Sequence, residues 1–266
     1  MANTGYIIYT YKDTNPYSET YGHTKEERVY DTELCPIETD FDYVMRIFVN
    51  GIQTEQIDCN ESTVMNTIDR KMVNNLKTKE PYDVILGNCA DVLDSGTFDA
   101  PWYGNTYIKS IDFSHSQIQQ IKEECFYNAT NLETVAFGSG KIQNGIMPSA
   151  FFGCQNLKGT VEIPYGCEII GQEAFRDCFY YNEGEVILPE TIIAISARAF
   201  GYCKYLKSVT LFNPTPFVCG TNAFLHNYAG VEPFPIYVPD ESVDRYKLTT
   251  NWKQYGDRIK PLSEKE

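Results

Sequence analysis

Several features typical of common functions are missing from this chain. Its 266 residues hold 22 Lys and Arg against 36 Asp and Glu, a net charge of −14. The basic face that nucleic acid or an anionic membrane requires is therefore not expected. No window approaches the roughly 18 consecutive apolar residues of a membrane-spanning helix, so membrane insertion is not predicted. Residues 1–30 lack an apolar stretch behind a basic start, and no secretory signal is predicted.

Patterns of catalytic and metal-binding residues are equally scarce. The three histidines, His23, His115 and His226, lie in different parts of the chain and indicate no nucleophile–base pair. The nine cysteines form no C-x-x-C pair, which argues against a structural zinc site. The Gly-Ser-Gly-Lys run at 138–141 lacks the other positions of a P-loop. We therefore predict no metal, no organic cofactor and no enzymatic activity.

What the sequence does contain is an internal repeat. Phenylalanines recur every 24 to 25 residues, each with Ile or Cys five residues earlier, at Phe126, Phe151, Phe175, Phe200 and Phe224. Three of them are followed three residues later by Cys154, Cys178 and Cys203. A unit of this length cannot bury its own apolar face, so the units are predicted to stack. The cysteines are interpreted as small buried hydrophobic residues, with a disulfide or redox role as the alternative.

A short strand is predicted about ten residues after each phenylalanine. Each strand reads apolar, any residue, apolar, so its outer two residues face the core and its middle residue points outward. The middle residues are Asp112, Ala136, Glu162, Ile187, Thr210 and Tyr237. Two interpretations stay open: a solvated sheet face, or a partner surface. In the second interpretation Ile187, Thr210 and Tyr237 form part of a protein or glycan contact, because an outward Ile beside a Tyr favours burial by a partner.

The combined pattern A-F-x-x-C-x-x-L-x-x-V-x-[LI]-P, preceded by I-x-x-x-A-F, resembles the BspA-like leucine-rich repeat family. The segments that carry the resemblance are "AFFGCQNLKGTVEIP", "AFRDC" and "AFGYCKYLKSVTL". It covers residues 108–240, and 82–240 with a degenerate first unit, "VILGNCADVLDSGTF", that places Phe98 in the phenylalanine column. The resemblance implies a β-rich repeat solenoid of five to six turns. Family members are mostly surface-exposed adhesion or interaction modules of gut and oral bacteria and some protists.

Residues 41–81 predict a ββα unit in front of the solenoid. Asn50-Gly51 between two strand-like runs is a strong hairpin signal, since both residues tolerate positive φ. A helix is predicted next, begun by Asn60 or Ser62. Its apolar stripe consists of Met65, Ile68, Met72 and Leu76. The unit is interpreted as an N-terminal cap, with a small independent domain as the alternative.

Residues 241–266 are similar to the C-terminal cap of the family. This similarity implies that a strand is followed by a helix begun by Asp240 or Ser242, and then by Trp252 and Ile259. The solenoid is therefore expected to carry a cap at both ends, an α+β cap at the start and a strand–helix cap at the end.

Residues 1–40 form a tyrosine-rich segment that we interpret as an exposed arm or docking segment. The tyrosines concerned are Tyr6, Tyr9, Tyr11, Tyr17 and Tyr21. The opening "MANTGY" and the T-x-x-C-P run at 32–36 look like the N-terminus of virion proteins of gut Bacteroidales phages, including the crAss-like phages.

This second resemblance implies a bacteriophage virion component, such as a fibre, decoration or tail protein. Virion subunits would then bind the N-terminal segment, and a host surface protein or glycan would bind the solenoid. The alternative is a cell-surface adhesin of a gut bacterium. No nucleic-acid partner is expected, and homo-oligomerisation stays open.

Overall fold

The computed structural model describes seven segments of the chain. They are residues 6–12, 24–30, 43–58, 67–95, 99–138, 142–226 and 228–265, the first two as backbone strands only. Residues 1–41 form one unit and residues 42–266 another. The first unit contains β1 (Tyr6–Lys12) and β2 (Thr24–Tyr30), which pair antiparallel. The sequence did not predict this pair. Tyr6, Tyr9 and Tyr11 of the predicted arm lie in β1, whereas Tyr17 and Tyr21 lie outside the described residues.

The described residues of the second unit contain strands throughout and two short α-helices. Its strands are β3 (Tyr43–Val49), β4 (Ile52–Asp58), β5 (Thr67–Ile68), β6 (Tyr82–Leu86), β7 (Val92–Leu93), β8 (Ile108–Asp112), β9 (Thr134–Ala136), β10 (Gly159–Glu162), β11 (Ile169–Ile170), β12 (Gly184–Leu188), β13 (Ala194–Ile195), β14 (Leu206–Leu211), β15 (Val218–Cys219), β16 (Ile236–Val238) and β17 (Ile259–Pro261). Its helices are α1 (Arg70–Asn74) and α2 (Val243–Leu248), with 3₁₀ helices at Asp240–Ser242, Lys253–Arg258 and Leu262–Glu264.

Two main sheets and a smaller second ladder run along this unit. The main sheets have the orders β4-β3-β6-β8-β9 and β10-β12-β14-β16-β17, and their repeat strands are parallel. The first main sheet ends at β9 and the second begins at β10. A 2.9 Å hydrogen bond from Lys158 N to Glu133 O connects the repeats of these two strands. The second ladder consists of β11-β13-β15, extended towards the N-terminus by bridges from Ile170 to Ile146 and from Ile146 to Ile121. Parallel stacking of 24- to 25-residue units is therefore confirmed.

The hairpin predicted between residues 41 and 59 is present, and the helix that follows is shorter than predicted. Asn50 and Gly51 have φ of 52° and 77° and connect β3 to β4, which pair antiparallel. Helix α1 begins only at Arg70, after Asp69, whose carboxylate accepts a 2.6 Å hydrogen bond from Met72 N. Ile68 was predicted in the helix but lies in β5, because its backbone pairs with β7.

The predicted N-caps of that helix, Asn60 and Ser62, lie outside the described residues, as does Met65. Of the predicted stripe, the α-helix contains Met72, whereas Ile68 lies before it and Leu76 after its end. The pairing of β5 with β7 explains the shortening, because a ladder partner fixes the backbone of residues 67 and 68 in the extended state.

The phenylalanine column forms a continuous stack of rings through the core. The five phenylalanines are fully buried, and successive rings lie 4.8 to 5.7 Å apart with planes within 9°. Trp102 continues the stack at 5.0 Å from Phe126 and with an interplanar angle of 4°. Trp102 therefore fills the first position of the column, which we had predicted for Phe98. Phe98 itself lies outside the described residues.

The turns around the stacked rings use left-handed backbone twice per repeat. Residues two before and two after the phenylalanine have positive φ in four successive repeats, at Glu124, Asn128, Ser149, Gly153, Glu173, Asp177, Arg198 and Tyr202. Only one of the eight is glycine, so most pay the steric cost of this conformation. Hydrogen bonds between repeats offset that cost: Asn128 N donates to Phe152 O at 2.7 Å, and Phe126 N to Ala150 O at 2.7 Å.

The cysteine column is structural, as predicted. The thiols of Cys154, Cys178 and Cys203 are buried, and each donates to the carbonyl of the phenylalanine in the preceding repeat at 3.0 to 3.1 Å. All six free cysteines among the described residues are buried. Cys89 differs, because it is disulfide-bonded.

The C-terminal segment packs on the last phenylalanine. The Trp252 ring lies 5.8 Å from Phe224, and the Arg258 guanidinium donates to the carbonyls of Phe224 and Phe234 at 2.7 and 2.9 Å. The helical segment starts where the sequence predicts, with a 3₁₀ turn at Asp240–Ser242 that leads into α2 and with Ser242 at the N-cap position. Ser242 precedes α2, but its hydroxyl donates to Pro214 O, and the Asp240 carboxylate accepts from Ser263 N. Among the described residues, no helix has the length and apolarity needed to cross a membrane.

Candidate interaction surface

The predicted outward residues of the repeat strands line up on the main sheets. Asp112 lies opposite Ala136 on the first sheet. On the second sheet Glu162 lies opposite Ile187, Ile187 opposite Thr210, and Thr210 opposite Tyr237. We call these six residues the outer row. Their neighbours along each strand are buried, and the alternation predicted from the sequence holds on every strand of the row except β14, where Thr210 is buried as well.

Accessibility varies along the outer row. Ala136 and Glu162 are exposed, whereas Asp112, Ile187 and Tyr237 are half-buried. Thr210 is 2% exposed, so it is unavailable to a partner in this conformation, contrary to the prediction. Its hydroxyl is buried without a hydrogen-bond partner in the described part of the chain.

The outer row is longer than the sequence predicted. Ile85 lies opposite Asp112 on one side and Arg46 on the other, and Lys260 lies opposite Tyr237 at the far end. Strands β3 and β17 lie in segments without the repeat motif and β6 lies in the degenerate first unit, which is why the alignment of the regular repeats did not extend the row to them. The Arg46 side chain is held in place by a 2.6 Å hydrogen bond to Gln56 and by the Tyr43 ring, 4.1 Å from its guanidinium carbon.

A cluster of aromatic side chains lies at the amino ends of β12 and β14. We define the tyrosine cluster as Tyr180, Tyr181, Tyr205 and Tyr228. The Tyr180 ring lies 5.0 Å from Tyr181 and 6.1 Å from Tyr228, in edge-on arrangements. The Lys204 ammonium lies 5.4 Å from the Tyr180 ring and 4.9 Å from the Tyr205 ring. Tyr181 and Tyr205 are 62% and 39% exposed, so the cluster offers aromatic surface to solvent.

The sequence contained one signal for this cluster. Tyr181 departs from the leucine found six residues after the phenylalanine in the neighbouring repeats. In this repeat the fully buried Phe179 fills the core, and a Cβ at Gly184 would overlap its ring. Tyr181 is therefore free to face solvent. Burial raises the pKa of Tyr228 to about 12, and its hydroxyl donates to Tyr202 O at 2.9 Å.

A second aromatic stack runs beside the buried one, half-exposed. The rings of Tyr103, Tyr127 and Phe152 stack at 4.9 and 4.8 Å, and the Arg176 guanidinium carbon lies 5.3 Å from the Phe152 ring. Because these ring faces cover one another, only their edges reach solvent. Arg176 also pairs with Glu173 at 3.0 Å, so this stack is tied into the structure. It offers no open ring face for stacking on a ligand.

The described residues show little that could support catalysis. No group of three or more His, Cys, Asp or Glu among them could hold a metal ion. His226 lies between the rings of Tyr228 and Phe234, at 5.4 and 5.9 Å, and burial lowers its pKa below the ordinary 6.5. Burial raises the pKa of the Cys167 thiol to about 12, so this group stays protonated and unreactive.

Parallel strands at a fixed repeat, a stacked aromatic column and a buried thiol column define a repeat protein of the leucine-rich class. The family model described as "BspA type Leucine rich repeat region" matches residues 96–229 in six copies, just over half of the chain. The chain belongs to this family. No curated protein matches it. Members of the family typically lack enzymatic activity, and their repeats suggest a role in protein–protein interaction or adhesion.

Proposed function

We propose that this chain is a non-enzymatic recognition protein that binds a protein partner through the tyrosine cluster and the adjoining outer row. The exposed pair Tyr181 and Tyr205 carries the proposal. Both residues lie next to strands, β12 and β14, on which the outer row also runs. Ile187 on β12 adds a half-buried apolar side chain to the same surface. Binding energy at protein interfaces concentrates in such aromatic anchors.

The charges around the cluster suit a protein interface. The Lys204 ammonium is held between two tyrosine rings, and the Lys207–Glu183 pair, 2.6 Å apart, lies exposed beside them. A polar, partly paired rim around aromatic residues is the usual arrangement of protein interfaces. On a chain with a net charge of −14, this patch is locally close to neutral, which lowers the repulsion an acidic partner would meet.

Substitutions on the two surfaces test the proposal. A photoreactive residue at position 181 should crosslink a partner protein, and Tyr205→Ala should lower the yield by at least tenfold, roughly the loss expected for an aromatic anchor. Tyr165→Ala is the matched control, because Tyr165 is also exposed (56%) but lies in the turn between β10 and β11. Equal losses with both variants would contradict the assignment of the tyrosine cluster.

The outer row is tested separately. Ile187→Lys and Tyr237→Lys place charge where the proposed partner buries apolar surface, and should weaken the same crosslink while the melting transition stays intact. An unchanged crosslink with an intact transition would exclude the outer row and leave the tyrosine cluster alone. Crosslinking to a glycan, or to a second copy of the chain, would replace the proposed partner class.

We further propose that the protein is a bacteriophage virion component, such as a fibre, decoration or tail protein. The resemblance of the first forty residues to phage virion proteins supports this location. The separate unit formed by residues 1–41 suits a docking role towards other virion subunits. Mass spectrometry of gradient-purified phage particles should detect the chain at a fixed ratio to the major capsid protein. Its absence from infectious particles would overturn the location.

A cell-surface adhesin of a gut bacterium is the second candidate. The disulfide at Cys89 favours it, because disulfides form and persist mainly in oxidising environments outside the cytoplasm. Protease treatment of intact bacteria separates the two candidates: release of peptides from residues 142–226 supports the adhesin, and protection supports the virion component.

The two ends of the repeat array are proposed to be its caps. At the start, β3 pairs antiparallel with β6, and β4 covers the other edge of β3. At the end, Trp252 covers the ring of Phe224. Terminal units of repeat proteins usually need such closure to stay soluble. Removal of residues 241–266 should therefore cause aggregation at concentrations where the full chain is monodisperse.

A further inference from the structure

The end of the chain crosses the outer face of the second main sheet. Strand β17 is the edge strand of this sheet and lies three strand spacings from β12, about 14 Å away. Lys265, four residues beyond β17, nevertheless places its ammonium 3.3 Å from the carboxylate of Glu185 on β12. Two residues earlier, Ser263 N donates to the Asp240 carboxylate at 3.0 Å, just beyond the carboxyl end of β16. The path from Asp240 to Glu185 passes over β14.

The outward residues of β14 show what the crossing does. Ser208 and Thr210 are 3% and 2% exposed, and neither hydroxyl has a hydrogen-bond partner in the described part of the chain. On β10, which the segment does not reach, the outward residues Thr160 and Glu162 are exposed. The register places Ser208 beside Glu185, directly under the ion pair with Lys265.

The interactions that hold the C-terminal segment over the sheet are weak. Burying a hydroxyl without a partner is unfavourable. A half-exposed ion pair such as Lys265–Glu185 returns little free energy. The segment therefore covers two polar groups that it does not satisfy, and a ligand that bonds to those groups would replace it at low cost. In the closed structure Glu185 binds a cation, the Lys265 ammonium, and Asp240 accepts from a backbone N–H, that of Ser263. A ligand that replaces the segment would therefore offer a cation and a backbone N–H a short distance apart.

We propose that residues 262–265 form a strap that opens, and that a polypeptide segment carrying a basic side chain replaces it on the sheet. Such a segment would bond to Ser208 and Thr210 and pair with Glu185. The strap itself is independent of the proposed function. The replacement of the strap by a partner rests on the proposed function, because opening the strap makes Ser208 and Thr210 available beside the rest of the outer row.

Thiol labelling tests the strap without any partner. Thr210→Cys introduces a thiol under the strap, and Ala136→Cys introduces one at an exposed position of the same row. The parent chain gives the background rate with the thiol reagent DTNB, which should be low because its described free cysteines are buried. Each variant is measured in the full chain, with Lys265→Ala, and with residues 262–266 removed. Circular dichroism checks that every variant is folded.

The expected result is slow labelling at position 210 and fast labelling at position 136 in the full chain. Lys265→Ala should accelerate labelling at position 210 by about fivefold, the effect of losing one partly exposed ion pair. Removal of residues 262–266 should bring it to the rate at position 136. Fast labelling at position 210 in the full chain would overturn the strap. So would continued protection after the removal, since Ile187 and Tyr237 alone would then cover the site.

A peptide added in trans tests the partner chemistry. Added in large excess, to compensate for the weak hold of one ion pair, the peptide Leu-Ser-Glu-Lys-Glu should restore protection of position 210 in the shortened chain, and Leu-Ser-Glu-Ala-Glu should not. Equal protection by both peptides would show that the basic side chain is not recognised. No protection by either would exclude a short segment as occupant. Both of these outcomes overturn the partner assignment while leaving the strap and the tyrosine cluster intact.

Discussion

Replacing Phe175 by alanine should remove a large part of the stability of the repeat unit. Its ring is fully buried and stacked between Phe151 at 5.0 Å and Phe200 at 5.3 Å. Truncation of a buried phenylalanine costs about 3–5 kcal/mol. A domain of this kind is stable by only about 5–15 kcal/mol, so the loss should be visible in any unfolding experiment.

Phe175→Leu separates stacking from volume. Leucine keeps most of the buried volume but loses two aromatic pairs, each worth about 0.5–1.5 kcal/mol beyond burial. It should therefore cost about 1–3 kcal/mol, clearly less than alanine. Phe152→Ala is the matched control, because Phe152 belongs to the half-exposed second aromatic stack and its removal leaves no closed cavity. Urea unfolding followed by circular dichroism gives the three free energies of unfolding.

The location of the damage is as informative as its size. In a repeat protein each unit contacts mainly its neighbours, so the loss should be local. Hydrogen exchange should accelerate in the repeats around Phe151 and Phe200 and stay unchanged in β8. A cost of less than about 1 kcal/mol for Phe175→Ala, well below the usual range, would contradict a stabilising ring stack. So would an equal cost for leucine and alanine, or a loss of protection spread evenly along the chain.

Further substitutions address other columns and groups. Cys178→Ala should cost only about 1 kcal/mol of unfolding free energy in a urea titration, because Ala129 holds the same position in an earlier repeat; a much larger loss would indicate more than packing and one weak hydrogen bond. Arg258→Met should lower stability by roughly 2–4 kcal/mol in the same assay, since two buried carbonyls lose their donor, and no loss would mean that water replaces it. The melting temperature should fall as the pH drops below about 6.5, because burial holds the pKa of His226 below its unfolded value, and His226→Gln should reduce this dependence. At alkaline pH stability should fall as the pH rises above the ordinary 10.0, because burial raises the pKa of Tyr82 to about 12 and the unfolded chain loses that proton first; unfolding without tyrosinate absorbance would contradict this.

The core columns were predictable because every repeat solves the same packing problem. A residue that must fill the space between two neighbouring rings recurs at one spacing, and this spacing predicts that Phe151, Phe175 and Phe200 are buried. The first position of the phenylalanine column was missed because an aromatic residue of another type fills it. Trp102 stacks on Phe126, although Phe98 matches the residue type of the repeat motif better. Packing selects shape and volume, and motif matching selects residue type.

For the surface, the sequence predicted only which strand residues point outward. Alternation along a strand decides which residues point outward, and the outer row followed from it. Alternation says nothing about what lies above a strand, so the burial of Thr210 under a segment that follows β17 left no local signal. The pair β1 and β2 was missed for a related reason, since its segments carry no repeat from which a strand could be inferred.

The exchange between Phe179 and Tyr181 shows how a repeat core can leave an aromatic side chain exposed on its surface. Three other repeats put leucine into the core at the position that corresponds to Tyr181. Here Phe179 fills the core from two residues earlier, and the missing Cβ of Gly184 makes room for its ring. The core position stays filled, with Phe179 in a left-handed backbone conformation (φ 51°), and Tyr181 becomes available to solvent. A repeat can therefore place a different side chain outward while another residue of the same turn fills its leucine position in the core.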